Sequence, residues 1–208
     1  MVSQVAFWDK IARKYAAKPV DDPDAYEDTL SLTRAHLSET DRVLELGCGT
    51  GTTALKLAPY LGTIFGTDIS AEMISIANEK ASAQGVGNVD FARADTGEAG
   101  TEAPPFDAIL AFNLLHLLED VPAVLATIRS KLKPGGIFIS KSGCLSQAPF
   151  LLRKLMLPVM QLIGKAPYVN NFSSDQIEAM VAAAGFEIVE AKTYPGIAPS
   201  RFITARRV

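Results

Sequence analysis

Three glycines alternate with single residues at Gly47, Gly49 and Gly51, directly after the apolar run Arg42–Leu46 and directly before a segment of helical periodicity. A strand that turns at once into a helix through glycines belongs to an open α/β sheet, whose ligand crevice lies outside the carboxyl ends of the strands. Glycine lets the backbone adopt left-handed angles and approach a ligand closely. The exposed N–H groups of the helix that follows favour a negative group. Taken alone, the turn specifies no more than a nucleotide-like ligand in that crevice. The spacing narrows it. The dinucleotide fingerprint G-x-G-x-x-G would need glycine where Thr52 stands, and a Walker loop would need Gly-Lys-Ser/Thr, which is absent.

The rest of the chain has the alternation that such a turn requires. Strand-length apolar runs stand at Arg42–Leu46, Thr63–Thr67, Val89–Ala94, Phe106–Phe112, Ile137–Ser142, Phe186–Thr193 and Arg201–Arg206. Several are apolar on consecutive positions, as strands covered on both faces should be. Between them, helical patterns occupy Thr52–Leu61, Ala71–Gln84, Val121–Leu132 and Ser174–Ala184, with Gly85, Gly135-Gly136 and Gly185 as stop signals. The expected fold is α/β: a Rossmann-like, seven-stranded, mostly parallel sheet with helices on both faces and the last strand antiparallel. No repeat or low-complexity linker divides the 208 residues, so residues 1–208 read as one domain. Two stretches stand outside the alternation. Residues 1–40 read as two cap helices, around Phe7–Ala17 and Asp24–Leu37, and residues 143–172 as an apolar insertion after the fifth strand, expected to cap the acceptor pocket or else to extend the core or a dimer contact. An insertion of that length in a compact domain serves a function or is disordered, and its Leu, Met and Phe content argues against disorder.

Composition removes several classes of function. A net charge of −3, with no basic run longer than Arg206-Arg207, excludes dependence on phosphate neutralisation, so no nucleic-acid partner is expected. Cys48 and Cys144 are too few for a disulfide framework, and His36 and His116 lie outside any ligand spacing, so no metal is expected. Met1–Lys14 is charged and has no apolar h-region, which speaks against a signal peptide. The longest apolar tract, 144–164, is broken by Pro149, Arg153, Lys154 and Pro158, short of the roughly 20 nearly uncharged residues that a bilayer span needs. The expectation is a cytoplasmic protein with a small-molecule partner, monomeric or homodimeric, with peripheral membrane contact open to it through 143–172.

With its leading acid, Glu45-Leu46-Gly47-Cys48-Gly49-Thr50-Gly51 resembles the E/D-x-G-x-G-x-G loop of class I S-adenosylmethionine-dependent methyltransferases of the small-molecule type. The resemblance implies a loop around the methionine end of the cofactor, with Glu45 organising the loop and the ligand's amino end. It continues through the ends of the next strands. Asp68, 17 residues past Gly51, is placed to accept from a ribose diol, or else caps the helix near Ala71, a role for which Ser70 is better suited. In similar proteins the positions of Ile69 and Met73 pack on adenine, and Asp95 with Thr96 reads its edge. Phe112-Asn113-Leu114-Leu115-His116 corresponds to the border of the transferable methyl, and Lys133-Pro134-Gly135-Gly136 to the turn into strand five. The entry helix Phe7–Tyr15 looks like the lid of related enzymes, with Tyr15 near the methionine end and Trp8 lining the acceptor side or packing the lid, although its Phe7, Ile11, Tyr15 spacing equally suits a helix that is merely docked.

The implied activity is methyl transfer from S-adenosylmethionine, with S-adenosylhomocysteine as product, to a small lipophilic acceptor by in-line displacement. That is positioning chemistry. A base is needed only for an acceptor protonated at neutral pH, and His116 is the titratable candidate, with Asn113 and Trp8 beside it on the substrate side. Two other readings stand next to this one. The glycine spacing and Asp95 count against a nucleotide-dependent oxidoreductase. A non-catalytic S-adenosylmethionine-binding regulator is opposed by a motif with nothing degraded in it. Ala103-Pro104-Pro105-Phe106 looks like the Asn/Asp-Pro-Pro-aromatic motif of DNA methyltransferases, but it has Ala at the hydrogen-bonding position and precedes the fourth strand, so it reads as a turn.

Overall fold

Along β1 (Arg42–Leu46), side chains alternate between two cores. Leu44 and Leu46 pack on one side with Ile109, Phe138, Leu125 and Val181, while Val43 packs on the other with Leu30, Leu57 and Ile64. That alternation is the period of a strand covered on both faces. The computed structural model describes residues 3–100 and 105–208; Ala103-Pro104 of the turn noted above lies outside them. The other strands are β2 (Thr63–Asp68), β3 (Val89–Arg93), β4 (Phe106–Phe112), β5 (Leu132–Gly143), β6 (Phe186–Tyr194) and β7 (Ser200–Arg207). They form one sheet of order β3-β2-β1-β4-β5-β7-β6. Strands β1 to β5 pair in parallel, and β7 runs antiparallel to both β5 and β6.

Helices α2 (Pro23–Ala35) and α3 (Thr52–Leu57) cover one face, joined by α4 (Ala71–Gln84); α5 (Val121–Lys131) and α7 (Ser174–Ala183) cover the other. The starts follow local chemistry. Asp22, Ser70, Asp120 and Ser173 each accept a backbone N–H of the first turn, and Ser173 forms a full capping box with Gln176. Helix α1 (Gln4–Ala17) begins at the Ser3 cap and packs on α4 through Ala12, Met73 and Ile76. The chain order reverses between β1 and β4, so the crevice of the sheet opens there.

Most element ends lie within a few residues of the sequence reading, and three features go beyond it. Helix α3 ends at Leu57 and passes into a 3₁₀ turn, Ala58–Tyr60, because Pro59 cannot donate to a continued ladder. Strand β5 starts at Leu132, and Lys133–Gly136 bulge out between the pairs Phe106–Leu132 and Ala108–Ile137. Gly135, at φ 75°, therefore turns a bulge, and helix α5 has already ended at Lys131 with Leu132 extended. Residues 150–162 form one helix whose middle, Leu152–Met156, is a π-segment, followed by α6 (Leu157–Leu162). Pro158 cannot donate to the carbonyl four residues back, and just before it Leu157 donates five back to Leu152.

Candidate functional site

The three glycines of the β1–α3 turn all have positive φ, at 64°, 53° and 72°, yet they answer different demands. A Cβ on Gly47 would lie 2.8 Å from Leu114 Cδ1, and one on Gly51 would lie 2.6 Å from Phe91 Cζ and 2.9 Å from Ala77 Cβ. Gly47 lets the β4–α5 loop close onto the turn, and Gly51 lets α4 and β3 pack against it. At Gly49 nothing lies within 4 Å of the Cβ position. The turn is thus braced at both ends and open in the middle. The Cys48 N–H donates to Thr67 O, and Lys80 Nζ donates to the hydroxyls of Thr50 and Thr52, each at 2.9 Å.

Two carboxylates stand behind this opening. Glu45 is 2% exposed, its Oε2 has no partner, and the Ala54 N–H donates to its carboxylate. Burial pushes the Glu45 carboxyl up to about 8, with the Asp68 charge adding to the effect. Asp68 Oδ2 accepts from the Gly49 N–H at 3.0 Å and Oδ1 from the Ser70 N–H at 2.9 Å. Burial raises this carboxyl too, against those backbone donors. A carboxylate offers about four lone-pair positions, so Asp68 is oriented by the chain and can still accept from a ligand. Ser70, not Asp68, caps α4.

Helix α1 closes over this end of the sheet. Gln4 Nε2 donates to Leu117 O in the β4–α5 loop, while Asp9 Oδ1 accepts from Ser70 Oγ at 2.6 Å and from the Glu72 N–H. Arg13 forms a two-pronged pair with Glu79. The helix so bridges from the β4 side to the β2 side. Trp8 and Tyr15 meet edge-on with ring centroids 6.2 Å apart. Partial burial raises the Tyr15 phenol; Lys18 opposes this, and Asp68 and Asp21 add to it.

On the β4 side, Asn113 takes φ 54°, rare outside glycine, and its N–H donates to Lys141 O at 2.7 Å. His116 is mostly buried with Nδ1 unpartnered, and burial lowers its imidazole to about 4. Its carbonyl accepts from the Asn170 N–H, which ties the insertion to this loop. Phe112 and Ile69 are half-buried at their strand ends, and Cys48 is buried with its thiol pushed up by burial. Three further residues expected at the cofactor are held by local structure. Met73 is buried against α1 with Ala12 and Ile76. Asp95 is exposed, its Oδ1 accepting from the Gly97 and Glu98 N–H groups of its own turn, and Thr96 sits half-buried in that turn. The glycine turn, Glu45, Asp68 and the Asn113–His116 loop come together, with the Tyr15 phenol within the field of the Asp68 charge.

Sequence reasoning missed Asp9, the clamp of α1, and Tyr26, whose hydroxyl lies 3.1 Å from Thr53 Oγ1 and whose phenol, raised by burial, also feels the Glu45 carboxylate. Neither carries a motif, and both matter only once helices are docked. An open backbone cradle at Gly49 and an orphaned buried oxygen on Glu45 fit a ligand with a cationic end; Asp68 fits a diol. Among the described residues no cluster of His, Cys, Asp or Glu could hold a metal ion, and no helix is long and apolar enough to cross a membrane.

Comparison with known proteins gives the site a context. A family model described as a methyltransferase domain matches residues 37–185. The ubiquinone biosynthesis O-methyltransferase of Rhizobium etli is 31% identical over 153 residues, covering 72% of this chain and 61% of that protein. The chain thus spans about three-fifths of the length of such relatives. Among solved structures, the YcgJ protein of a Bacillus superposes with a TM-score of 0.71 at 19% identity, over 87% of this chain and 98% of that one. An S-adenosylmethionine-dependent methyltransferase of Methanosarcina mazei does so with 0.70 at 21%, over 85% and 97%. At those identities the likeness is one of fold.

Proposed function

The chain belongs to the methyltransferase-domain family, and from that premise we propose that it moves a methyl group from S-adenosylmethionine to a small, lipophilic organic acceptor by in-line displacement. One observation carries the reading: a buried carboxylate with an unpartnered oxygen, Glu45, stands behind a glycine turn that opens on free space at Gly49. Bound S-adenosylmethionine supplies a methyl on a sulfonium, a leaving group that needs no further activation. The chain's own work is to bind, orient and exclude water. The Gly47–Gly51 turn cradles the methionine end, Glu45 balances its ammonium, and Asp68 accepts from the ribose hydroxyls. Ile69 and Phe112 flank the cofactor, Tyr15 closes over it, and Asp95 with Thr96 stands at the adenine edge. Asn113 and His116 border the acceptor, with Trp8 across from them.

His116, held uncharged by burial, is a weak base at neutral pH. The ring is suited to bordering the acceptor and excluding water from it, not to taking its proton. Calorimetric titration with S-adenosylmethionine and S-adenosylhomocysteine tests the cofactor. Incubation with methyl-labelled cofactor and a metabolite extract, read by mass spectrometry, tests turnover. Binding of both compounds together with a labelled product is expected. No binding of either would overturn the reading, and binding without any labelled product would favour a regulatory role.

A further inference from the structure

The helix at 150–162 leaves its apolar side chains in solvent. None of its residues is buried. Leu151, Leu155, Val159 and Leu162 form one stripe at helical spacing, flanked by Phe150 and Ile163; Leu162 is 84% exposed and Phe150 71%. The inner side is held by polar groups, with Arg153 donating to Ser146 O and Gln161 to Pro167 O. Apolar patches of this kind mark interaction surfaces. The charge around the patch says which. From Val121 to Ser174 there is no Asp or Glu, although the chain as a whole carries −3. Lys154 and Lys165, both exposed, supply cations beside the stripe. An exposed apolar face with a basic flank is the pattern of a helix lying in an anionic lipid interface. The segment follows β5 at its carboxyl end, where the glycine turn and α1 also lie.

We propose that residues 150–163 seat the protein on an anionic bilayer, apolar stripe toward the acyl chains, so that the mouth of the site faces the lipid and the acceptor enters from it. The entry of the acceptor rests on the methyl-transfer reading; the docking does not. Sedimentation of the full chain with vesicles of phosphatidylcholine, with and without phosphatidylglycerol, tests it. Pelleting with the anionic vesicles is expected, with much less on the neutral ones. Leu151→Glu/Leu155→Glu/Leu162→Glu should weaken partitioning at least tenfold with S-adenosylmethionine affinity unchanged, since those side chains touch no core. Lys154→Glu and Lys165→Glu should each cost about fivefold or more and erode the preference for phosphatidylglycerol. Normal S-adenosylmethionine binding without pelleting on either vesicle would overturn the proposal. So would a concentration-dependent dimer that the triple variant returns to monomer, because the stripe would then be an interface between copies. Vesicle binding without S-adenosylmethionine binding would uphold the docking surface and overturn the transfer reading.

Discussion

A side chain at Gly51 would meet an aromatic ring and a neighbouring helix, whereas one at Gly49 would meet nothing; the two positions therefore separate folding from binding. Gly51→Ala overpacks a rigid contact, at about 1–3 kcal/mol, and adds left-handed strain of about 1–2 kcal/mol. It should lower Tm clearly. Gly49→Val carries the strain without the clash, yet fills the cradle, so S-adenosylmethionine binding should vanish from a calorimetric titration while the fold persists. Normal binding by Gly49→Val would mean that the turn is no cradle. Asp68 combines both roles. Its ribose bonds, made by a charged acceptor, are worth roughly 1.5–3 kcal/mol each, so Asp68→Ala should weaken binding at least about tenfold. The two backbone N–H groups that it braces make a drop in Tm the expected companion. Unchanged affinity in that variant would leave Asp68 as a brace of the loop and nothing more.

Among the elements, α1 and the 143–172 insertion flank the same end of the sheet but are fastened very differently. Helix α1 is clamped by Asp9, Gln4 and Arg13 and buries Phe7 and Ala12. The 150–162 helix has no fully buried residue and hangs on a few polar contacts. Replacing residues 149–165 by a Gly/Ser linker should therefore leave S-adenosylmethionine affinity within a few-fold while abolishing methylation of the acceptor. Normal turnover by the shortened protein, or loss of cofactor binding with it, would remove the segment from the acceptor side. The difference also explains what could be read in advance. Strands β1 and β4 and helix α4 were legible to the residue, because period-2 and period-3.6 patterns and the Ser70 cap are local signals. The glycine turn was legible because its spacing is local too. The clamp by Asp9, the contact of Tyr26 with Thr53 and the outward face of the insertion depend on how helices dock, which no local pattern encodes. Asp95 shows the converse. It stands two residues past the end of β3, and its Oδ1 also holds the following turn, a second role that only the folded backbone reveals.

For the molecule as a whole, the buried Glu45 carboxyl makes stability depend on pH in a direction opposite to that of a paired surface acid. Its folded value, about 8, lies above the ordinary 4.5, so between those values the native state holds a proton that the unfolded chain has lost. Stability then falls as pH rises through that range. His116, lowered to about 4 from 6.5, works the other way. The unfolded chain takes up its proton first, so this contribution is lost as pH falls through 6.5, and at pH 6.5 the unfolded imidazole is still half protonated. From pH 6.5 to 8 Glu45 therefore dominates, with His116 opposing it by only about 0.4 kcal/mol. At 1.36 kcal/mol per pH unit, the ligand-free protein should lose roughly 1–1.5 kcal/mol across the interval, or about 2–6 °C in Tm for a chain of this size. Asp68, raised by burial as well, can only add to the same sign. Glu45→Gln should flatten the profile. Saturating S-adenosylmethionine should flatten it too, because the ligand's ammonium would hold Glu45 ionised. Linkage then requires that binding release a proton below pH 8 and that affinity climb with pH up to that value. Scanning calorimetry over the interval, with titrations in buffers of different ionisation enthalpy, reads both effects. A decline that persists in Glu45→Gln would locate the titrating group elsewhere, and binding without proton release would place the ammonium away from Glu45.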